Sequence, residues 1–370
     1  MQQVSSRPPS ADTAAEAGAA SPAPAPATDG QPPAPRSRGV DIRGLRPSSL
    51  LHRIGSQNVA LLLALILLCL VIRTRSNKIF LLANLLDIGV AVSILGILAV
   101  AQMVVVISGG LDISIGSTTS LTTVALAMVL RDGMPTVLAV LFAVLVGLVA
   151  GALNGLLVVS LSISPIIVTL ATFSGFAGLG LVLSKGLEIS VTNNFFLAVG
   201  TDSLFGVPYP VWLLIVFAVV THVYLRYTVV GRHVYAMGSN EDAARNTGIS
   251  LSRYRLGIYA YSGFAAAVAG LLTVARNGLG QASSAGADQG LIAITAALLG
   301  GAALAGGRGS IPGAVMGVLL LGVLDNGLVL VGADPFYSQI IVGVLLVTAV
   351  GLQQPQVSQR LRRRRRVTSS

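Results

Sequence analysis

The chain is built from apolar runs of about twenty residues separated by short polar joints. An apolar helix of this length crosses the hydrocarbon core of a bilayer and satisfies its own backbone hydrogen bonds, so these runs predict membrane-spanning helices. With 54% of residues apolar and 10% charged, we predict an all-α polytopic membrane protein. The ten predicted spans lie near 57–73, 86–108, 114–131, 135–160, 164–184, 210–227, 254–275, 289–305, 312–332 and 336–352.

The two ends of the chain depart from this pattern. Residues 1–50 are rich in Pro, Ala and Ser and contain no apolar run that could form a core, so we predict a disordered cytoplasmic tail. Residues 51–355 hold the predicted spans, and 356–370 form a basic tail. The first run, 59–72, precedes Arg73 rather than a small-residue cleavage site, which argues against a signal peptide. Because this run has only about fifteen apolar residues, an interfacial helix is the alternative to a span.

Basic residues are distributed unevenly between the two predicted sides of the membrane. With a cytoplasmic N-terminus, eighteen Lys and Arg residues fall on the cytoplasmic side and six on the other. The positive-inside rule therefore predicts that both termini are cytoplasmic, with segment 228–253 inside and segment 185–209 outside. The net charge of +10 then reflects topology and contact with anionic lipid headgroups, and it does not indicate nucleic-acid binding.

A compact polar insert, 231–248, separates two of the apolar runs. Its second half predicts a short helix. Ser239 can cap the N-terminus, Asp242 completes a capping box three residues on, and Gly248 suits a left-handed stop. The sequence therefore predicts both where this helix starts and where it ends.

This short helix needs a surface to pack against. A helix of about eight residues is marginal in water, even with Glu241 and Arg245 at the spacing of an ion pair. Two small residues, Ala243 and Ala244, would let the backbone of a partner approach closely. We therefore predict a docking helix, and an ordered connector between two spans is the equally open alternative.

The Gly-rich stretch 300–310 invites comparison with a phosphate-binding loop. No Gly-Lys-Ser/Thr follows it, and no predicted strand precedes it, so the lysine and the hydroxyl of such a site are missing. We predict a tight cytoplasmic turn between two spans. If a nucleotide drives this protein, the nucleotide binds another chain.

Other reactive chemistry is sparse. Cys69 is the only cysteine, and the three histidines are scattered, so neither an intrachain disulfide nor a metal site is predicted. No nucleophile is paired with a base. The sequence predicts no catalytic residues and no cofactor, and therefore no enzyme.

Three glycines, Gly147, Gly151 and Gly155, repeat at intervals of four in one apolar run. They share one face of a helix, so a neighbouring helix can approach backbone to backbone. Asn154 lies beside them in the sequence. It is either a residue of a transport pathway or a polar contact that holds two helices together.

Two carboxylates interrupt the apolar runs. Asp112 lies in 108–117, a stretch with glycines that is typical of a broken helix lining a cavity. Capping of the following helix is an equal interpretation of Asp112. Asp325, in the ninth predicted span, is costly to place in lipid, so it should face protein or water, with Asn326 as its hydrogen-bonding partner.

Several stretches in one order support a resemblance to a known family. The stretches are 109–116 (Gly-Gly-Leu-Asp-Ile-Ser-Ile-Gly), 164–170 (Ser-Pro-Ile-Ile-Val-Thr-Leu), 231–238 (Gly-Arg-His-Val-Tyr-Ala-Met-Gly), 240–245 (Asn-Glu-Asp-Ala-Ala-Arg), 306–310 (Gly-Gly-Arg-Gly-Ser) and 325–328 (Asp-Asn-Gly-Leu). Because these stretches occur together in this order, the chain resembles, over about 80–350, the membrane permeases of ribose-type sugar ABC importers, whose nearest relatives are branched-chain amino-acid permeases.

The resemblance implies a bacterial inner-membrane subunit that works in a homodimer or pseudo-dimer. Each subunit would bind a separate ABC ATPase subunit and would receive sugar from an extracytoplasmic sugar-binding protein. ATPase coupling is then assigned to the docking helix and its ends: Ser239, Asn240, Glu241, Asp242, Ala243, Ala244, Arg245 and Gly248.

The chain departs from the family pattern at a few positions. Gln102 replaces the Gly that usually precedes the Met of the second span, and Ala177 replaces an Arg. Gly290 and Ile292 occupy the places of an acidic pair, with Asp288 nearby, and Asp325 stands where Asn is usual. These changes leave the transporter architecture intact but do not favour ribose as the sugar.

The sequence thus predicts a monosaccharide permease whose pathway offers hydroxyl and amide groups to a neutral sugar. A permease for branched-chain amino acids or another small solute is the alternative. An ion-coupled secondary transporter would need more embedded carboxylates than the two present. The candidate pathway residues are Asp112, Asn154, Thr169, Thr172, Asp325 and Asn326.

The predicted topology can be tested by cysteine labelling. Because the charge bias places segment 185–209 outside and the insert inside, a cysteine at Asp202 should react with an impermeant reagent from outside, and one at Ser239 only from inside. Labelling of both positions from the same face would show that the number of spans between them is wrong.

Overall fold

The structure is a computed structural model that describes residues 56–282, 285–334 and 336–353. The predicted tails at 1–50 and 356–370 lie outside these residues. Within them the chain forms thirteen α-helices, one 3₁₀ helix, Asn77–Phe80, and four two-residue strands. The α-helices are α1 Ser56–Arg75, α2 Leu82–Ile107, α3 Ile115–Arg131, α4 Thr136–Ser160, α5 Pro165–Ser184, α6 Asn194–Thr201, α7 Tyr209–Tyr227, α8 Val229–Ser239, α9 Glu241–Asn246, α10 Leu251–Asn277, α11 Ala285–Leu299, α12 Ile311–Leu330 and α13 Phe336–Gln353.

Seven of the described helices are long and apolar enough to cross a membrane, namely α1, α2, α4, α5, α7, α10 and α12. Three shorter apolar helices lie in α3, α11 and α13. An apolar helix therefore lies at each predicted run, and the all-α polytopic architecture is confirmed. The count of ten spans and the cytoplasmic placement of both termini stay predictions.

One predicted boundary is wrong. The run 289–305 was expected to be helical throughout, but α11 ends at Leu299. Gly301 follows with a positive φ of 98°, and a Cβ on Gly300 would lie 2.4 Å from the Gly313 carbonyl oxygen. The chain can therefore turn at Gly301, and the start of α12 lies close against Gly300. Both features need a residue without a side chain. Segment 300–310 is a turn, as the glycines predict.

The core is organised around α2 and α10, which are the most buried spanning helices, with 83% and 72% of their apolar segments inside the protein. The three glycines of α4 lie against α10. A Cβ on Gly147 would be 2.4 Å from the Gly263 carbonyl oxygen, and one on Gly151 would be 2.1 Å from the Tyr259 carbonyl oxygen. One on Gly155 would be 2.8 Å from a backbone atom of the same helix. The two helices thus touch backbone to backbone.

Segment 185–209 is an ordered surface rather than a loose loop. Strand β1, Ile189–Ser190, pairs antiparallel with β4, Leu279–Gly280. After α6, strands β2, Ser203–Leu204, and β3, Val207–Pro208, form a hairpin. The hairpin precedes α7 in the chain, and α8 follows α7. The hairpin and α8 therefore lie at opposite ends of α7.

The α4–α10 contact can be tested at Gly151. We expect Gly151→Leu to abolish accumulation of folded protein, because the new side chain would displace the backbone of α10. The loss of stability should exceed the about 1–3 kcal/mol that overpacking typically costs. The matched control is Gly257→Leu on α10, where an added Cβ has no neighbour within 4 Å. Membrane abundance and a monodisperse gel-filtration profile are the measurements. Normal abundance of Gly151→Leu would contradict the contact.

Candidate coupling site and transport pathway

The polar insert 231–248 forms most of one helix, α8, and all of a second, α9, rather than a single docking helix. Ser239 is the last residue of α8, and its hydroxyl donates to the Tyr235 carbonyl oxygen at 2.8 Å. The predicted N-cap at Ser239 is therefore wrong. Asn240 caps α9 instead, since its extended backbone lets Oδ1 accept from the Ala243 N–H at 2.9 Å. Because Ala243 then occupies the third helical position, Asp242 completes no capping box.

The end of α9 follows the prediction. Gly248 has a φ of 84°, and its N–H donates to the Arg245 carbonyl oxygen at 3.0 Å. A Cβ at Gly248 would meet nothing within 4 Å. Glycine is thus required here by its backbone conformation and not by crowding.

Glu241 connects α9 to the membrane bundle. One carboxylate oxygen accepts from Arg245 at 3.2 Å, the predicted i,i+4 pair. The other accepts from Arg255 of α10 at 2.5 Å. Ion pairs that solvent can still reach, such as these two, contribute only about 0–1 kcal/mol each, so they orient α9 more than they stabilise it.

The two alanines of α9 face different sides of the helix. Ala244 is only 4% exposed and packs in the core with residues such as Leu251 and Ile258 of α10. Ala243 is exposed. Successive helix residues point about 100° apart, so the prediction that both alanines form one partner-facing surface is wrong. Ala244 anchors the helix, and Ala243 lies on the accessible side with Asp242 and Arg245.

The junction of α8 and α9 packs directly on the end of α2. A Cβ on Gly238 would lie 1.8 Å from the Ile107 carbonyl oxygen, which also accepts from the Gly307 N–H at 2.8 Å. A Cβ on Gly306 would lie 2.9 Å from the Cα of Gly109. Three chain segments therefore meet through their backbones: the end of α8, the 300–310 turn, and the link between α2 and α3.

This link, residues 108–114, is the predicted break in a helix, and we call it the break segment. Asp112 in its middle is 2% exposed. Its Oδ1 accepts from the Ser114 N–H at 3.0 Å and from the Ser114 hydroxyl at 2.7 Å, and its Oδ2 accepts from the Ser262 hydroxyl at 2.6 Å. Of the two interpretations of Asp112, this geometry favours the structural one, because the carboxylate holds the start of α3 against α10.

Other helices bind the break segment as well. Asn154 of α4 donates to the Ser114 hydroxyl at 2.7 Å. The Tyr259 hydroxyl on α10 donates to the Leu111 carbonyl oxygen at 3.2 Å. The Thr169 hydroxyl on α5 shares its proton between the same oxygen at 3.2 Å and the Pro165 carbonyl oxygen of its own helix at 2.9 Å. With its amide nitrogen turned toward the Asp112 carbonyl oxygen, Gln102 of α2 donates at 3.2 Å and accepts from the Asp112 N–H at 3.3 Å. The break network is Gln102, Asp112, Ser114, Asn154, Thr169, Tyr259 and Ser262.

Sequence reasoning found part of this network. It selected Asp112, Asn154 and Thr169 as pathway residues and marked Gln102 as a departure from the family. In the sequence Ser114 is visible only as part of the 109–116 motif, and Tyr259 and Ser262 of α10 are not predicted. Their only signal is that they carry hydroxyl groups inside a long apolar run. In this conformation Asp112, Asn154 and Thr169 are buried and take part in hydrogen bonds of the break segment. A pathway role for them therefore stays a prediction.

The remaining pathway candidates do not join the break network. Thr172 is half-buried, and its hydroxyl donates to the Val168 carbonyl oxygen of its own helix at 3.1 Å. Asn326 exchanges two hydrogen bonds with Asn84 of α2, at 3.1 and 3.0 Å. The predicted pairing of Asn326 with Asp325 is therefore wrong, and Asp325 is exposed on α12.

Asn84 and the break segment lie at opposite ends of α2, roughly 35 Å apart along a helix of that length. The six predicted pathway residues thus fall into two separate places. Among the described residues, no three His, Cys, Asp or Glu side chains are grouped as metal ligands. The arrangement offers hydrogen bonds and packing, and its buried carboxylate is fully engaged by hydroxyl and backbone donors.

Substitutions at Asp112 can separate a structural from a charge-dependent role. Asp112→Asn keeps an acceptor for Ser114 and offers an amide to the Ser262 hydroxyl, so folding should be near wild type. Asp112→Ala leaves these groups unpaired, and each should cost about 1–3 kcal/mol of stability. Thermal unfolding of the detergent-solubilised protein measures both. If the alanine variant is as stable as wild type, Asp112 does not hold the break.

Comparison with known proteins places this architecture in a family. Residues 84–350 match the family described as branched-chain amino acid transport system / permease component. The ribose import permease protein RbsC of Bacillus subtilis (strain 168) is 36% identical over 273 residues, which cover 73% of this chain and 84% of that protein. The L-arabinose transport system permease protein AraH of Escherichia coli (strain K12) is 33% identical over 268 residues, covering 72% of this chain and 81% of that protein.

The probable ABC transporter permease protein y4mJ of Sinorhizobium fredii (strain NBRC 101917 / NGR234) is 34% identical over 327 residues, covering 87% of this chain and 98% of that protein. No solved structure matches the chain. The family match spans most of the chain and includes the break segment, the α8–α9 insert and the 300–310 turn. The chain therefore belongs to the branched-chain amino acid transport system / permease component family, as a non-enzymatic inner-membrane permease subunit of ABC transporters.

Proposed function

We propose that this chain forms the transmembrane pathway of an ATP-driven importer for a monosaccharide such as ribose or a related sugar. The observation that carries the proposal is α9, a capped helix that is exposed on one side and joined to the bundle on the other. Relatives named for ribose import and for L-arabinose transport support a sugar as the solute.

A separate ATPase subunit would dock on the exposed side of α9. Asp242 and Arg245 offer charges of both signs there, and Ala243 between them leaves room for close approach. On the inner side, Ala244 sits in the core and Glu241 pairs with Arg255. A displacement of α9 by ATPase closure would therefore move α10 directly, as a rigid-body step in alternating access.

The same displacement would reach the break segment through Gly238. Its backbone lies in close contact with Ile107 and the 300–310 turn, so close that an added Cβ would overlap the Ile107 carbonyl oxygen. The break network would then rearrange as α8 moves. This would connect ATP hydrolysis on the partner to the break segment, where α2, α3, α4, α5 and α10 meet.

The sugar would be held by uncharged groups. A neutral sugar needs hydrogen bonds that are weak enough to allow its release. Asn154 Oδ1 is the one buried side-chain oxygen or nitrogen among the described residues that lacks a hydrogen-bond partner. Once the break segment moves, this oxygen could accept from a sugar hydroxyl, with Thr172 one helical turn beyond Thr169 as a second polar contact. Asp325 and Asn326 remain candidates for the other end of the pathway.

A second copy of the chain would pack on α5. Only 22% of this helix is buried, and an added Cβ at Gly175 or Gly178 meets nothing within 4 Å. Together with Ala171 these glycines form a small-residue surface of the kind that helices use to associate in membranes. The ordered segment 185–209 would receive the extracytoplasmic sugar-binding protein.

A permease for branched-chain amino acids is the second candidate function, because the family is described in those terms. An ion-coupled transporter is not favoured, since both oxygens of Asp112 are occupied by Ser114 and Ser262. The ligand of the binding protein that works with this chain would decide between a sugar and an amino acid. Purified binding protein that takes up a branched-chain amino acid and no pentose would overturn the sugar assignment.

The docking role is tested at Ala243. Ala243→Trp should leave membrane abundance near wild type, because an exposed substitution costs within about 0.5 kcal/mol. Uptake should fall at least about tenfold, equivalent to about 1.4 kcal/mol of lost binding, and the ATPase subunit should no longer copurify.

Two further variants control this experiment. Ala236→Trp changes an exposed alanine of α8 and should leave the ATPase attached. Ala244→Trp should instead lower abundance, because Ala244 is buried. If Ala243→Trp transports normally with the ATPase bound, α9 is a connector.

A further inference from the structure

A cavity of about 480 Å³ lies where the start of α1, the end of α7, the middle of α8 and the start of α12 meet. It lies at the end of α7 that leads into α8, and therefore on the same side of the bundle as α9. Its polar side chains are Asn58, His222, Arg226, Tyr235 and Ser310. No acidic residue lines it within the described part of the chain.

No described acidic residue compensates the charge of this cavity. Arg226 takes part in none of the three ion pairs formed by the described residues. His222 lies four residues before it on α7, so the two side chains share one face of the helix. The Tyr235 hydroxyl donates to the Gly309 carbonyl oxygen at 3.0 Å, which fixes the opposite wall. Burial raises the pKa of Tyr235, so this hydroxyl stays protonated and neutral.

Two apolar stripes begin at the cavity. On α1, Leu62 and Ile66 follow Asn58 at intervals of four and are 48% and 47% exposed. On α7, Val219 and Val223 precede Arg226 on the same side and are 55% and 46% exposed. A cationic cavity from which two exposed apolar stripes extend could bind an amphiphile, with its anionic headgroup in the cavity and its apolar part along the stripes.

We propose that this cavity binds the phosphate of an anionic phospholipid, with Arg226 and His222 as donors and the acyl chains along α1 and α7. Basic pockets between transmembrane helices are where anionic headgroups bind. A free phosphate would use the donors but not the stripes. Because Tyr235 belongs to α8, the bound lipid would hold in place the helix that leads to α9, and transport would depend on lipid composition.

The experiment uses the full chain in detergent, to which phosphatidylglycerol or phosphatidylcholine is added, with native mass spectrometry to count bound lipids. We expect one phosphatidylglycerol to be retained per chain, and phosphatidylcholine not to be. The double variant His222→Ala with Arg226→Ala should bind it about fivefold to tenfold more weakly, as expected for the loss of a cationic contact at a lipid headgroup. Arg226→Lys should retain binding.

Arg232→Ala is the matched control, since Arg232 is an exposed arginine of α8 that does not line the cavity. It should bind phosphatidylglycerol like the wild type. Equal retention of the lipid by the double variant, given an unchanged gel-filtration profile, would overturn the proposal. Displacement of the lipid by inorganic phosphate at a similar concentration would also overturn it, because the cavity would then be a site for the free anion.

Discussion

The rest of the structure depends on how the break segment is satisfied. Asp112 and Ser114 of the break segment are buried, and a buried backbone group freed by a broken helix needs a partner in the protein. Here the carbonyl oxygen of Leu111 accepts from Thr169 and Tyr259, and Gln102 covers the backbone of Asp112. The Asp112 carboxylate uses both oxygens to hold Ser114 and Ser262. Helices α2, α4, α5 and α10 are thereby fixed around the start of α3.

Close backbone contacts make this arrangement rigid on two sides. The α4 glycines bring α4 against α10, which places Asn154 within reach of Ser114. Gly238 brings the α8–α9 junction against the last carbonyl of α2. A protein packed in this way shifts between discrete arrangements rather than bending continuously, because close-packed interiors transmit strain. That property suits the proposed transfer of movement from α9 to the break segment.

Features that depend on local chemistry were accessible from the sequence. The positions of the apolar helices follow from run length, and the end of α9 follows from Gly248. The errors arose where neighbouring residues compete for one role. Ser239 and Asn240 are both favourable N-cap residues, but Ser239 is the last residue of the preceding helix α8, so Asn240 caps α9. Ala243 and Ala244 are equally small, and only the packing of α9 on α10 decides that Ala244 is inside.

By itself the sequence determined the membrane class, the helix positions, a break within 108–117 and the family, because each depends on residue types and their spacing along the chain. Only the tertiary structure decided the partners of the buried polar groups. Asp112 bonds Ser262, which is 150 residues away, and Asn326 pairs with Asn84, which is 242 residues away, rather than with the adjacent Asp325. Hydrogen bonds of such sequence separation depend on which helices become neighbours, and that is set by the packing of the whole bundle.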